Sequence, residues 1–562
     1  MGHSPARVCR QCVDRCASHC TPASYTLAMH STWTPAFSLD RIAPGTSRLY
    51  KQNGAQVAIF RLLDDTIFAV DNRCPHEGYP LTQGSVSGCT LTCKWHNYKF
   101  DLRDGACLVG EEGVRSYPVR VVDRIVELDL HAPASLIATL LADLEAATYR
   151  HEPGRIARNL VRLLDLGATP GDLAMTAARF DADHAEFGVT HVLALAAELV
   201  TEPTAQIEPA LPLAQLFDLA GRANVRLGAR VRPAAIEPTE DATATGEQLR
   251  RAVEGENAPL AEGILRGALA FGWRRTEIEP WFFQVCADHF LDFGHPLIYC
   301  AKIFDALDVE GWRSADSVLG GLVHGIVFAT REDLLPAWSG WRRRLDTAPN
   351  APLPELALAA AERLLRFDAA IDADAATMEG WLDVTHRLTF VHAVRRVVAR
   401  WNHVDVRKLT LQAQQFVAMA APLDGAAPLD AAAPPTPETE SATLDAIVTA
   451  ARTFQTTMAV ALTRVYLDSE GAAGRRALAL RAATTALENL AWQDHATRAV
   501  FLAHHIKTLR AARDEALDLD DDRPFLGAVR FVASRVRERN VERSVRNAIA
   551  LVRHGKPPTT LT

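Results

Sequence analysis

The chain has 562 residues and a formal net charge of −8; 48% of its residues are apolar and 23% are charged. This length exceeds one ordinary core, so we expect about two to four domains, and the acidic balance argues against a nucleic-acid binder or a basic membrane-binding patch. No apolar run reaches membrane-spanning length, no secretory signal is visible, and ten cysteines are too sparse for a secreted disulfide framework, so we expect a cytoplasmic protein.

The first 28 residues combine several cysteines with few apolar side chains. Cys9, Cys12, Cys16 and Cys20 follow the spacing C-x2-C-x3-C-x3-C, which also occurs in metal-binding segments. A segment with so little apolar surface has nothing with which to build a core. We therefore predict a disordered or mis-started leader at 1–28, with a metal-binding tail as the alternative.

Residues 29–132 have the pattern of a small β domain. Turn-forming Asp, Asn and Gly residues separate short runs in which apolar and polar side chains alternate. These runs are 56–62, 66–70, 91–93, 117–122 and 125–130. The pattern predicts a small antiparallel β structure.

Two short motifs within this β segment carry four potential metal ligands. Cys74-x-His76 is followed, after sixteen intervening residues, by Cys93-x-x-His96. Two thiolates and two imidazoles in paired loops suit a Rieske [2Fe–2S] cluster, with the cysteines on one iron and the histidines on the other. The same four residues could also form a zinc site, which is the alternative.

The stretches CPHEGYP and CKWHNYKF, with the following DLRDGACLVGEEGVRSYPVRVVDRIVELDL, resemble Rieske ferredoxins and the ferredoxin-like domains of Rieske oxygenases. The resemblance covers roughly residues 33–131. It implies an electron-transferring [2Fe–2S] domain whose cofactor ligands are Cys74, His76, Cys93 and His96.

The segment departs from the respiratory Rieske proteins at several positions near the ligands. Tyr79 and Trp95 stand where those proteins carry a disulfide-forming cysteine pair, and Asn97 replaces a glycine whose backbone angles Asn also tolerates. Tyr98 and Phe100 stand where hydroxyl groups lie near the cluster sulfurs, and Phe100 has no hydroxyl to donate. We therefore predict a low-potential cluster, near the ~−150 mV end of the Rieske range.

From Ala132 onward the sequence becomes rich in Ala, Leu and Arg, and apolar residues recur at spacings of three and four, which predicts helices. We predict a helical domain at 133–420, an Ala/Pro-rich loop at 421–442, and a helical subdomain at 443–562 that packs on the preceding one. The expected fold class is therefore multidomain, with a small all-β Rieske domain followed by a large all-α domain.

Histidines are the main candidates for chemistry in the helical part, which has no dinucleotide-binding glycine motif, Walker A loop, HExxH motif or nucleophile elbow. Several predicted helices, among them Phe187–Val200, Pro280–Leu291, Pro296–Leu307, Asp374–Ala399 and Asp494–Leu517, contain or adjoin histidines. Pairs six residues apart, such as His386 and His392, point about 120° apart on a straight helix, so both cannot bind one metal unless the helix bends. Imidazole and carboxylate suit non-haem iron. Our candidate ligands are His191, His295, His392 and His505, with Asp292 as a carboxylate partner.

Two stretches of the helical part, DFGHPLIYCAKIFDAL and LTFVHAVRRVV, resemble motifs of the questin oxidase-like helical proteins. That family is implicated in NADPH-dependent, Baeyer–Villiger-type oxygenation of polyketides. The resemblance implies an all-helical oxygenase domain, and it carries over His295 and His392 as candidate catalytic residues, with Asp292 in the same motif.

The sequence thus predicts a Rieske-type oxidoreductase of the mono- or dioxygenase kind. A ferredoxin or flavin reductase would reduce the [2Fe–2S] cluster, so NAD(P)H would act only through that reductase. The cluster would pass electrons to non-haem iron that oxygenates an apolar small molecule, without nucleic-acid or membrane partners. One alternative is an electron-transfer or redox-sensing protein whose helical part docks partners and holds no second metal. A third possibility is a haem bound by one histidine, which would be held non-covalently because the sequence has no C-x-x-C-H motif.

Overall fold

A computed structural model describes most of the chain in eleven segments. These are residues 33–52, 55–130, 134–222, 228–239, 241–344, 349, 351–373, 380–425, 440–471, 475–495 and 499–535. The predicted leader at 1–28 and most of the predicted loop at 421–442 lie outside the described residues. The chain divides into two compact units, Met1–Asp143 and Leu144–Thr562.

The first unit is built from three small antiparallel sheets, with strand orders β1-β10-β9, β2-β3-β4 and β5-β6-β7-β8. The strands are β1 (Trp33–Ser38), β2 (Thr46–Gln52), β3 (Ala55–Arg61), β4 (Ile67–Asp71), β5 (Ser85–Ser87), β6 (Thr90–Thr92), β7 (Lys99–Asp101), β8 (Cys107–Val109), β9 (Val119–Val122) and β10 (Ile125–Asp129).

Strand β3 supplies side chains to two apolar cores because successive side chains of a strand point to opposite faces. Val57 and Ile59 pack in one core with residues of β10. Ala58 and Phe60 pack in the other core, which contains the two motif cysteines. The cluster-binding loops therefore rest on the central strand of the β2-β3-β4 sheet.

The rest of the described chain is helical. The helices are α1 (Ala134–Tyr149), α2 (Pro153–Asp165), α3 (Pro170–His184), α4 (His191–Thr201), α5 (Ala210–Arg222), α6 (Ala242–Glu254), α7 (Ala258–Phe271), α8 (Arg275–Asp288), α9 (His295–Glu310), α10 (Ala315–Phe328), α11 (Leu353–Arg366), α12 (Ala369–Ala373), α13 (Trp381–Arg400), α14 (Val406–Ala418), α15 (Glu440–Arg452), α16 (Thr456–Gly471), α17 (Arg476–Leu490), α18 (Ala499–Leu519) and α19 (Arg523–Val532).

Four of these helices form a closed ring of neighbours. Helix α4 packs on α9, α9 on α13, α13 on α18, and α18 on α4. These helices are almost entirely buried along most of their length, as expected for helices whose sequence is apolar on more than one side. The ring brings together chain segments that lie more than 300 residues apart in sequence.

The predicted fold class, a small all-β domain followed by a large all-α domain, is confirmed. Several strand boundaries differ from prediction, and β1, β2, β5, β7 and β8 were not predicted because they lack a long alternating pattern. None of the described helices combines the length and apolar character that a membrane crossing requires.

Candidate metal centres

The two motif loops of the first unit have the same backbone construction. In the first loop, the Cys74 N–H donates to the Tyr79 carbonyl at 2.9 Å, and the Gly78 N–H donates to the Cys74 carbonyl at 2.8 Å. Gly78 has a φ of +76°, a left-handed angle that glycine adopts at no steric cost. This closes a tight turn that carries His76 at its tip.

The second loop repeats these bonds. The Cys93 N–H donates to the Tyr98 carbonyl at 2.8 Å, and the Asn97 N–H donates to the Cys93 carbonyl at 3.1 Å. Asn97 occupies the position equivalent to Gly78, with a φ of +60°. Asn therefore adopts the backbone angles that the sequence comparison required of it.

The four donors of these loops are arranged as an inner sulfur pair and an outer nitrogen pair. Cys74 and Cys93 are 5% and 1% exposed, and burial together with the neighbouring Cys93 thiol raises the pKa of Cys74 to about 11. The Nδ1 atoms of His76 and His96 face each other at 3.1 Å, nearer the surface. This donor set fits a [2Fe–2S] cluster, with buried thiolates on one iron and accessible imidazoles on the other.

An aromatic pair links the two loops at the positions of the missing disulfide. The rings of Tyr79 and Trp95 stack with centroids 5.9 Å apart, and Trp95 Nε1 donates to a Glu77 carboxylate oxygen at 3.0 Å. Trp95 is 60% exposed, so this pair is a surface feature beside His96. Stacking and one hydrogen bond thus hold the loops together where respiratory Rieske proteins use a covalent bridge.

We expect a Phe100→Tyr substitution to raise the reduction potential of the cluster. Phe100 is fully buried in the core that contains both cysteines. A hydroxyl there can donate to cluster sulfur; a hydrogen bond of about 1 kcal/mol corresponds to roughly 40 mV for one electron. An EPR-monitored redox titration would measure the shift from a parent value near ~−150 mV. Phe37→Tyr, in the other core, should leave the potential unchanged, and a parent potential above 0 mV would contradict the interpretation.

A second group of potential ligands lies in the helical unit, with one histidine on each helix of the ring. His191 begins α4, His295 begins α9, His386 lies in α13 and His504 lies in α18. Their ligand nitrogens all lie within 4.8 Å of one another. The Nε2–Nε2 distances are 3.0 Å for His191–His504, 3.2 Å for His191–His295 and 2.9 Å for His295–His386.

Hydrogen bonds at the far ring nitrogens fix the orientation of two of these histidines. His295 Nδ1 lies 2.7 Å from the Asp292 carbonyl oxygen, which can only accept, so Nδ1 carries the proton. His504 Nδ1 lies 3.3 Å from Thr385 Oγ1, whose own hydrogen is directed to the Leu382 carbonyl at 2.9 Å. In their neutral forms both imidazoles then present an unprotonated Nε2 to the common centre.

Burial keeps the four imidazoles neutral. It lowers the pKa of His295 to about 3, and it lowers the pKa of His191, His386 and His504 well below the usual value. Burial also lowers the pKa of Lys507 well below its ordinary range. Neutral imidazoles whose lone pairs converge on one point are suited to binding a divalent cation, because each nitrogen can donate its lone pair to the metal.

The structure brings some of the predicted site residues together and separates others. His191 and His295 belong to the four-histidine group, and Asp292 contributes its backbone carbonyl rather than its carboxylate. His392 instead contacts the buried Glu515 carboxylate through Nδ1 at 2.8 Å. The ring of His505 packs against Phe531 with centroids 4.5 Å apart.

The four-histidine group contains His386 and His504, whereas His392 and His505 lie outside it. Residues six apart on a helix point about 120° apart and adjacent residues about 100° apart, so only one histidine of each pair can face the ring interior. The sequence around each pair gives no indication of which histidine does so. The packing of the four helices against one another determines which histidine faces the interior.

Comparison with known proteins finds similarity in the first unit. The family model described as a Rieske-like [2Fe-2S] domain matches residues 32–129. The anthranilate 1,2-dioxygenase ferredoxin subunit of Burkholderia cepacia is 31% identical over 107 residues, which are 19% of this chain and 98% of that protein. A ferredoxin component of naphthalene 1,2-dioxygenase/salicylate 5-hydroxylase systems from Ralstonia sp is 29% identical over 104 residues, 18% of this chain and 99% of that protein.

A longer protein, a monooxygenase by its name, is also similar in part. The 4beta-methylsterol monooxygenase of Methylococcus capsulatus is 31% identical over 107 residues, which are 17% of this chain. The chain spans only 29% of the length of that enzyme. The predicted [2Fe–2S] domain is confirmed by these matches and by the paired-loop geometry. Through residues 32–129, the chain belongs to the Rieske-like [2Fe–2S] proteins.

Proposed function

We propose that this chain is a Rieske-linked oxidoreductase in which the [2Fe–2S] domain supplies electrons to a non-haem iron site in the helical unit. The observation that supports this most is the convergence of four histidine nitrogens, one from each of four neighbouring helices, within 4.8 Å. The site would use His191, His295, His386 and His504 as ligands. Its substrate would be an apolar small molecule, which it would oxygenate.

The donor set is compatible with iron. Imidazole is a borderline donor that binds Fe²⁺ as well as Zn²⁺ and Cu²⁺, and four such ligands leave coordination positions of a six-coordinate ion open. Iron in such a site supplies open positions for dioxygen and a means of accepting electrons from a carrier. Burial holds the imidazoles neutral, and hydrogen bonds to Asp292 and Thr385 orient His295 and His504.

Electron supply would come from outside the chain. The matched ferredoxin components belong, by their names, to dioxygenase systems, which supports electron-transfer partners for this Rieske domain. A ferredoxin or flavin reductase would therefore reduce the cluster, and NAD(P)H would act only through it. His76 and His96, nearer the surface than the cysteines, are the ligands best placed for electron entry.

The second candidate is a Rieske electron-transfer or redox-sensing protein with no second metal. The coverage of the two ferredoxin components, 98% and 99% of their length, favours this reading because those proteins consist of little beyond the matched domain. In this case the four histidines would be a polar cluster inside a helical domain that docks partners.

Iron and acid-labile sulfide content separates the candidates. Protein purified without air should contain about three iron atoms and about two sulfides per chain if the helical site holds iron, and about two of each if it does not. His76→Ala should remove the cluster and leave about one iron. Zinc without labile sulfide would contradict the redox assignment altogether.

A further inference from the structure

Phe293 lies on the four-histidine group and is held by an unusual turn. Its ring stacks on that of His386 with centroids 5.9 Å apart and planes 21° apart. His386 is 5% exposed, whereas Phe293 is 38% exposed. A partly exposed ring therefore covers a buried histidine of the proposed iron site.

The backbone that carries this ring is strained. Asp292, Phe293 and Gly294 have φ angles of +47°, +54° and +85°, so three consecutive residues are left-handed directly before His295. For the two residues that are not glycine this conformation is unfavourable, and such strain tends to occur at ligand sites and switches. At Gly294 a side chain is excluded as well, because a Cβ there would lie 2.3 Å from the ring of Phe390.

A buried carboxylate fixes the turn. The Phe293 N–H donates to Glu332 Oε1 at 2.9 Å, and the neighbouring Asp292 N–H donates to the Thr330 carbonyl at 3.1 Å. Glu332 is 9% exposed, and burial raises its pKa to about 7. Both its charged and its neutral form keep an oxygen that can accept the Phe293 N–H.

We propose that Phe293 controls access to the four-histidine site, with its ring held over His386 by the left-handed turn and Glu332 acting as the positioning residue. This inference rests on the proposed iron site and identifies where a molecule would enter it. When the Glu332 bond is intact the ring covers His386. When the turn relaxes, the ring moves and a molecule of substrate size can reach the open coordination positions.

Extraction of the helical iron by ferrozine tests this without a known substrate. In the full-length Fe²⁺-loaded protein, Phe293→Ala should speed iron removal about tenfold or more, because it removes the cover while leaving all four ligands. Iron affinity at equilibrium should stay close to that of the parent. The visible absorption of the cluster, followed in the same sample, shows whether any extracted iron came from the cluster instead.

Three further variants make the test specific. Glu332→Ala should accelerate extraction as Phe293→Ala does, and Glu332→Gln should restore the slow rate because its amide oxygen accepts the same N–H. Phe271→Ala, which removes another exposed ring that contacts Trp273, should change nothing. If the parent retains a third iron but all variants release it at one rate, this inference is wrong while the iron site stands. If the parent protein retains no third iron, both this inference and the proposed iron site are wrong.

Discussion

Replacing His386 with alanine is expected to remove iron from the helical unit while leaving the Rieske cluster intact. His386 Nε2 lies 2.9 Å from His295 Nε2, and its loss would leave a three-histidine set with an apolar gap in the buried centre. We expect the iron affinity of the helical site to fall by about 100-fold or more, since even residues that only support metal ligands contribute 10–100-fold. Metal analysis after dialysis and cluster EPR would measure both outcomes.

His392 provides the matched control on the same helix. It is as buried as His386, at 5% exposure, but its Nδ1 contacts Glu515 rather than the other histidines. His392→Ala should therefore lower stability and keep the helical iron. If His392→Ala lost the iron and His386→Ala kept it, the ligand set proposed here would be wrong and our sequence-based assignment of His392 would be right.

Replacing Arg510 with alanine is expected to destabilise the helical unit by about 3–5 kcal/mol, because it would remove the charge partner of the buried Glu488 carboxylate and leave Glu198 paired with Lys302 but not with Arg510. Arg510 is 2% exposed. Its Nε donates to Glu488 at 2.7 Å, and its Nη1 donates to the Glu198 backbone carbonyl at 2.8 Å and carboxylate at 3.2 Å. The residue therefore ties α18, which carries His504, to α4, which carries His191, and to α17.

The pH dependence of stability provides a second measurement for the Arg510→Ala prediction. Burial opposes the charge on Glu198, but Lys302 and Arg510 outweigh it and lower the pKa of Glu198 to about 2. A carboxylate with a depressed folded pKa contributes stability above its unfolded pKa, near 4.5, and loses it as the pH falls towards 2. Burial raises the pKa of Glu488, so this carboxyl takes up a proton more readily once Arg510 is gone. The difference between parent and Arg510→Ala should therefore be largest near neutral pH and shrink as the pH falls.

Urea unfolding followed by far-UV circular dichroism would measure the loss. Arg222→Ala is the surface control, because Arg222 is paired with Asp218 one turn away but its side chain is 57% exposed. That substitution should cost no more than about 1 kcal/mol. An Arg510→Ala protein as stable as the parent at neutral pH would show that the buried network is not needed to hold these helices together.

The Rieske centre could be predicted from sequence because its signal is local. All four ligands lie within 23 positions, each pair sits in one tight turn, and Asn97 could be recognised as a residue that adopts left-handed angles. The strands beside the cluster-binding loops were harder to predict. β5, β7 and β8 have three residues each, too few to show an alternating pattern.

The helical character of the second unit could be predicted from the sequence, but its helix boundaries and its histidine group could not be predicted in full. Pro280 suggested a helix start, yet α8 begins at Arg275 and continues through the proline, because the buried residues on both sides of it pack as one helix. The histidine group was only half predicted. His191 and His295 were identified, but the choice of His386 over His392 depends on how α13 is rotated against α9 and α18, which no local pattern encodes.

If the four histidines hold an ion, as proposed, the ring of α4, α9, α13 and α18 would allow that ion to bind only after folding is complete. His191 and His504 are 313 positions apart in sequence, so these side chains meet only when nearly the whole helical unit has been synthesised and packed. A nascent or truncated chain that ends before α18 would hold three of the ligands at most. An ion at 100 times its dissociation constant would then favour the finished fold by about 2.7 kcal/mol, which would link maturation of the protein to the supply of metal.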